Sequence, residues 1–259
     1  MEERKIGRME IKRRVGQGLI AIIRFNWPFY LVACMSLLTA ILLLRYSNFT
    51  YPILLTAFIF VLSYVLLASL LISFYIYDLS DLYHLSWLEN RGQQCVLTVN
   101  AGFDETSNII RRKLPNTKLI ICDFYNAEKH TAPSIRRARN AFPPDPETLS
   151  VETESLPFGS KSFDEVYAIL SAHEIRNEEE RIRFFLELNR VIKTSGKIYI
   201  TEHLCDWKNF LAYTIGFFHF HSRQTWMRTF TEAGLLVEAQ IKVTPFLITF
   251  VVQGNGNTH

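Results

Sequence analysis

Two neighbouring residues in the second half of the chain have the side chains that move protons at neutral pH. His173 titrates near neutrality and could act as a base toward a phenol, a hydroxyl or an activated carbon, with Glu174 beside it. The same pair could instead cap the helix that follows. A second polar cluster, Thr201-Glu202-His203, ends an apolar run, and His219 and His221 sit in the unusually aromatic stretch 206–226. Three histidines are ligand types for a metal. No carboxylate-rich spacing accompanies them, so no metal is expected. The four cysteines (Cys34, Cys95, Cys122 and Cys205) are scattered with no CxxC spacing. That pattern excludes a zinc module or a disulfide framework and fits reduced thiols.

The elements that must carry these residues alternate. Short buried-strand runs are read at 95–99, 118–122, 165–170 and 197–201, with a weak one at 149–151. Between them lie helical segments at 105–113, 134–141 (stopped by Pro143-Pro144) and 178–192, the last amphipathic through Ile182, Phe185, Leu186, Leu188 and Ile192. A helix at 224–233 ends at Gly234, and two final strands, 235–243 and 246–251, meet at Thr244-Pro245. Such alternation with short loops predicts a parallel α/β sheet covered on both faces, with ligands at the carboxyl ends of its strands. The last two strands lack a helix between them and are expected to pair as an antiparallel hairpin.

The first third of the chain is different. Of the 259 residues 49% are apolar, and they concentrate between Trp27 and Tyr77, which excludes both disorder and a uniformly soluble globule. The run 27–46 has a single cation, Arg45, at its edge, and 51–77 has no charge. Each is long enough to span a bilayer of roughly 30 Å, and tyrosines and Trp27 flank them at headgroup depth. The alternative is a buried hairpin in a soluble protein. The first run is too long and starts too late for a cleaved signal peptide. Arg4, Lys5, Arg8, Lys12, Arg13, Arg14 and Arg24 precede the runs, so the positive-inside bias puts the N-terminus and the body in the cytosol. Asn48-Phe49-Thr50 matches a glycosylation sequon but hugs the bilayer and is read as accidental. The segment 11–23 could lie on an anionic leaflet or stay solvated. The expected organisation is a basic segment (1–26), two transmembrane helices (27–77), a linker helix (78–93) and an α/β domain (94–259). A balance of 28 basic against 25 acidic residues does not suggest a nucleic-acid binder.

Two blocks carry a resemblance. Leu156-Pro157-Phe158 through Ser162-Phe163-Asp164-Glu165-Val166 looks like an "LPF…SFD.V" segment, and Glu187 through Arg190-Val191-Ile192-Lys193-Thr194-Ser195-Gly196 looks like an "E..RVLKPGG" helix and turn. In that order and spacing they resemble the class I S-adenosylmethionine-dependent methyltransferases, nearest the ubiquinone/menaquinone-biosynthesis type, from about residue 94 onward. The resemblance implies a Rossmann-like seven-stranded methyltransferase sheet with a C-terminal antiparallel hairpin, here preceded by a transmembrane helical hairpin.

It also implies site residues. S-adenosylmethionine would contact the loop Asn100, Ala101, Gly102, where the family usually has three glycines and only Gly102 is kept. Thr98 stands where an acid often orients the methionine end, and Asp104 would place a charge near the methionine carboxylate. Asp123 falls where the family's acid accepts both ribose hydroxyls, a match to carboxylate acceptor geometry. Phe124 could pack on adenine, and Glu152, with Thr153 beside it, matches an acid facing the adenine amino group. Asp123 as a turn residue and Glu152 as a solvated charge remain alternatives. His173 and Glu174 lie next to where the family holds the transferred methyl group. The aromatic stretch 206–226 is either a lid over a lipophilic acceptor or a membrane-docking or core helix. The implied function is a membrane-anchored methyltransferase acting on a lipophilic small molecule with the lipid bilayer as partner. The alternative is a methyltransferase-fold scaffold that has lost activity.

Overall fold

A computed structural model describes residues 13–47 and 50–254. The cations Arg4, Lys5, Arg8 and Lys12 and the sequon residues Asn48 and Phe49 lie outside the described residues. Seven strands form one sheet in the order β3-β2-β1-β4-β5-β7-β6. They are β1 Cys95–Asn100, β2 Lys118–Asp123, β3 Leu149–Ser150, β4 Phe163–Ile169, β5 Ile192–His203, β6 Leu235–Lys242 and β7 Leu247–Gly254. The first five are mutually parallel, and β7 runs antiparallel between β5 and β6. The chain steps outward from β1 to β3, then returns to the other side of β1 for β4. The switch point is therefore between β1 and β4, where such sheets open a crevice.

Eight α-helices accompany the sheet: α1 Gln17–Phe25, α2 Trp27–Tyr46, α3 Pro52–Phe74, α4 Ser107–Lys113, α5 Pro133–Ala141, α6 Glu178–Val191, α7 Trp207–Tyr213 and α8 Arg223–Glu232. Local chemistry sets their starts. Asn177, Asp206 and Ser222 each accept a backbone N–H from the first turn of α6, α7 and α8. Three glutamates in the first turn of α6 add a favourable charge at the helix's positive end. On α6, Phe184, Phe185, Leu188 and Val191 are buried, whereas Leu186, expected on that face, is exposed. They pack with Trp226 and Phe230 of α8 against Leu97, Val166, Ile198 and Phe250 on one face of the sheet.

The opposite face is covered in an unexpected way. The expected linker helix over 78–93 does not form. The chain leaves α3 through a π-helical turn, Tyr75–Leu79, and a single 3-10 turn, Asp81–Tyr83, and then runs irregularly to β1. Ile76, Leu82 and Leu85 from this stretch are buried against Val96, Tyr167, Tyr199 and Val251 of the sheet. Trp87 stacks on Tyr199, which stacks on Tyr167, each at 5.1 Å between ring centres. The helical spacing of 78–90 gives way because these side chains gain more by covering bare sheet than the backbone gains from a helix.

α2 and α3 pack on each other and are long and apolar enough to cross a membrane. Leu31, Val32, Met35, Ile53, Leu54 and Phe60 on their outer faces are exposed. α1 does not extend away from the body. Its first turn is held by Asp78, whose two carboxylate oxygens accept the N–H groups of Gly18 and Leu19 at 2.9 and 2.8 Å. A Cβ at Gly18 would come within 2.4 Å of the Tyr77 Cβ, so this contact requires glycine. At its other end Phe25 meets Phe103, in the loop after β1, edge-on at 5.1 Å.

Candidate functional site

The parallel registers bring the carboxyl ends of three strands side by side. Asn100 is paired with Asp123, and Asp123 with Ser150. Across the switch point Val99 faces Ala168 and Ile169 faces Thr201. Leu170, just past β4, sits at φ +52°, a left-handed conformation costly for a branched side chain and frequent where a fold aims residues into a site.

The loop after β1 keeps a tight turn with one glycine. Gly102 is at φ +91°, and its N–H donates to the Asn100 side-chain oxygen at 2.9 Å, so the asparagine supplies the turn a second glycine would otherwise permit. Ala101 is buried behind it. Asn100 Nδ2 is buried with no partner among the described residues. Asp104 accepts the N–H groups of Thr106 and Ser107 at 2.9 Å, so its charge is spent on the start of α4. Thr98 shares a hydrogen bond with Ser107 at 2.6 Å.

Asp123 is buried at the end of β2. One carboxylate oxygen accepts the Tyr125 N–H at 2.8 Å, and the other accepts Nη1 of Arg139, reaching over from α5. The arginine lies over the Tyr125 ring at 4.5 Å and passes so close to Gly102 that any Cβ there would strike it. Arg139 lies on the helix expected at 134–141. No local signal announces a contact with a carboxylate sixteen residues earlier.

The remaining adenosine-side candidates fall in different surroundings. Phe124 is buried in the core, tilted against Phe184 at 4.9 Å and edge-on to His130 at 5.6 Å. Thr153 is buried, and its hydroxyl donates to Glu180 at 2.6 Å. Glu152 is exposed two residues beyond β3. The structure thus brings Asn100, Gly102 and Asp123 together and leaves Phe124 and Thr153 occupied with packing.

His173 and Glu174 lie on a short 3-10 turn after β4, both buried. His173 Nδ1 is 2.6 Å from Glu202 Oε2, and its backbone N–H donates to Glu202 Oε1 at 3.2 Å. Glu202 is fully buried near the end of β5. His173 Nε2 is 3.6 Å from Glu174 Oε1, and His219 Nε2 approaches the same oxygen at 3.3 Å. Burial alone would push the His173 imidazole down. The Glu202 charge and hydrogen bond, with Glu174 behind them, outweigh it and raise it to about 8. With no cation beside it, the two carboxylates thus favour the protonated ring near neutral pH.

The loop carrying His219 is pinned by Arg176, whose guanidinium donates to the carbonyls of His219 and Phe218, and by the Cys205 N–H on the His221 carbonyl at 2.9 Å. The three histidines weighed as ligands part company. His221 turns to Arg181 and the Ile175 carbonyl. His203 bonds Asn209 through Nδ1 and the Tyr77 hydroxyl through Nε2, each at 3.0 Å. Only His219 joins His173 and Glu174.

A cavity of about 550 Å³ is lined by Asn100, His173, Glu174 and His219, while Asp123 and Gly102 lie outside its lining. Its floor is Asn100, Leu170 and His173 at the strand ends, and its opposite wall is Ala21, Phe25 and Phe29 from α1 and α2. Tyr77 and His203 close one side. The donor set fits S-adenosylmethionine: Asn100 has an unspent buried donor at the methionine end, and Asp123 is a carboxylate where two hydroxyls would be read. Arg139 occupies that carboxylate, and it holds it as a diol would, by donation.

Comparison with known proteins agrees with this architecture. Residues 106–200 match the family model described as a methyltransferase domain. A SAM-dependent methyltransferase from Aquifex aeolicus superposes with a TM-score of 0.50 at 16% identity, covering 67% of this chain and 89% of that one. A chain of a Haloferax volcanii complex between a methyltransferase activator and a methyltransferase gives 0.50 at 13% identity, covering 74% and 97%. A SAM-dependent methyltransferase from Methanosarcina mazei gives 0.48 at 16%, covering 65% and 94%. No curated protein matches the sequence significantly. Over residues 106–200 the sequence matches the methyltransferase-domain model, and the seven-stranded sheet has the fold of the solved S-adenosylmethionine-dependent methyltransferases it superposes on.

Proposed function

We propose that this chain methylates a lipophilic small molecule that reaches the site from a membrane. The observation that carries the reading is the composition of the cavity, with reactive strand ends on one side and α1 and α2 on the other. A cofactor held at Asn100 and Asp123 would present an activated methyl group, which needs alignment more than chemistry from the protein. This chain's own residues would do the rest. The apolar wall excludes water, and the buried His173–Glu202 pair holds a proton beside the acceptor. A quinone precursor or other aryl lipid suits such a wall, in keeping with the resemblance to the ubiquinone/menaquinone type.

The anchor reading has its own support. Trp207, Phe210, Leu211, Ile215 and Phe218, on α7 and the turn after it, are exposed, and the Tyr64 hydroxyl of α3 donates to the Leu211 carbonyl at 3.1 Å. An apolar surface beside a spanning helix suits interfacial docking. With the N-terminus on the cytosolic side, two crossings return the body to the cytosol.

A second reading has one observation in its favour. Arg139 on Asp123 closes the ribose position, as it would in a scaffold that no longer binds cofactor. Calorimetry of S-adenosylmethionine with the full chain in detergent decides between them. Micromolar binding lost in Asp123→Ala supports the enzyme, and transfer of labelled methyl groups to a lipid extract then identifies the acceptor. No binding at millimolar cofactor to folded protein leaves the scaffold.

A further inference from the structure

The geometry points to a divalent metal site formed by His173, Glu174 and His219, opening into the cavity. The ligand atoms, His173 Nε2 (whose proton a bound cation displaces), Glu174 Oε1 and His219 Nε2, lie within 4.8 Å of one another. Two of the three separations are 3.3 and 3.6 Å. Ligands about 2.0–2.1 Å from a tetrahedral Zn²⁺ stand about 3.3 Å apart, so only the histidine pair must close. Two imidazoles and one carboxylate are the ligand set of open catalytic sites, in which the fourth position is left to water or substrate.

The surroundings are those of a built site. Glu202 takes His173 Nδ1 at 2.6 Å, which fixes the ring and aims Nε2 at the cluster, the usual carboxylate–histidine–metal relay. Arg176 fixes the backbone of the third ligand by bonding the His219 carbonyl. Two buried carboxylates, Glu174 and Glu202, face each other across His173 with histidines as their hydrogen-bonding partners. A cation among them offsets a charge that burial otherwise penalises.

All three ligands line the cavity, so the open position faces the acceptor space. The open position would take a donor atom of the acceptor, and the oxygen of a phenol or catechol supplies one. That last step rests on the methyl-transfer reading above. The metal site itself does not.

The test is Co²⁺ titration of the full chain in detergent, without S-adenosylmethionine, followed through the visible ligand-field bands. One equivalent of Co²⁺ with tetrahedral-intensity bands, displaced by Zn²⁺, is expected. Glu174→Gln and His219→Gln should weaken binding at least tenfold, and Glu202→Gln roughly 10–100-fold, as outer partners of metal-bound histidines do. His84→Gln, an exposed histidine, should change nothing. An added apolar catechol should alter the bands by entering the open position. A spectrum without a stoichiometric site overturns the inference, and so do folded variants that bind as tightly as the parent. The wild-type titration decides even where a variant does not fold. Failure here leaves cofactor binding untouched, and a protein that binds Co²⁺ but ignores S-adenosylmethionine fails only the methyl-transfer reading.

Discussion

The guanidinium of Arg139 sits on the carboxylate of Asp123, across the only glycine of the loop after β1. A basic side chain thus holds the acceptor that a ribose would need, and cofactor entry must displace it. Arg139→Gln is expected to bind S-adenosylmethionine more tightly, by about tenfold if the displaced contact is worth about 1.5 kcal/mol. Asp123→Ala should abolish binding in either background. Calorimetry of the two single variants and the double variant checks this. Weaker binding in Arg139→Gln would mean that the arginine serves the cofactor and does not compete with it.

Besides Asp78, a second acidic residue ties the N-terminal helix over the cavity. Glu105 accepts Arg13 at 2.6 Å and the Tyr83 hydroxyl at 2.5 Å, tying the segment before α1 and the stretch after α3 to the loop after β1. Glu105→Ala leaves a half-buried cation and a hydroxyl without their acceptor. A loss of about 1–3 kcal/mol in stability is expected, with faster proteolysis within 13–25. Thermal unfolding in detergent and limited trypsin digestion measure both.

Filling the cavity should separate acceptor from cofactor. Ile22 lines it from α1, away from Asn100 and Asp123 on the strands. Ile22→Trp is expected to raise the KM for a lipophilic acceptor several-fold while leaving S-adenosylmethionine affinity within twofold of the parent. Equal losses in both would place the cofactor, and not the acceptor, against α1.

His203 makes stability pH-dependent. Burial pushes its imidazole down to about 3, and the Tyr77 hydroxyl donating to Nε2 suits the neutral ring. The unfolded chain takes up a proton below the ordinary value of about 6.5, and the folded chain does not. Stability from this group is therefore full above about 6.5 and falls as pH drops toward 3. The thermal midpoint should decline across that window in the parent and less steeply in His203→Gln. A parallel decline in both would assign the acid sensitivity elsewhere.

How far the sequence could be read follows from the range of the contacts involved. The strand runs around Leu97, Ile120, Val166 and Ile200 are local and apolar, and each lies where expected. β5 begins earlier than read, at Ile192, because it pairs with Phe163 across a register shift that no local pattern announces. Asn100, Gly102 and Asp123 were named through the methyltransferase resemblance, and the parallel register of β1 and β2 brings them together. The meeting of His219 with Glu174 was not legible, since it depends on Arg176 gripping a loop more than forty residues away. The stretch 78–90 has helical spacing, and its true role depends on a sheet face that appears only once β1, β4 and β5 are assembled.

That stretch changes what the N-terminal third is for. Ile76, Leu82, Leu85 and Trp87 complete the catalytic body's own core, and Tyr77 reaches His203 at its floor. The two long apolar helices are therefore not mere appendages of an independent domain. A shortened chain begun at residue 94 would lose half the upholstery of its sheet and bare Tyr167, Tyr199 and Val251 to water. Any tilt or sliding of α3, transmitted through the turn at Tyr75–Leu79, would reshape the cavity itself.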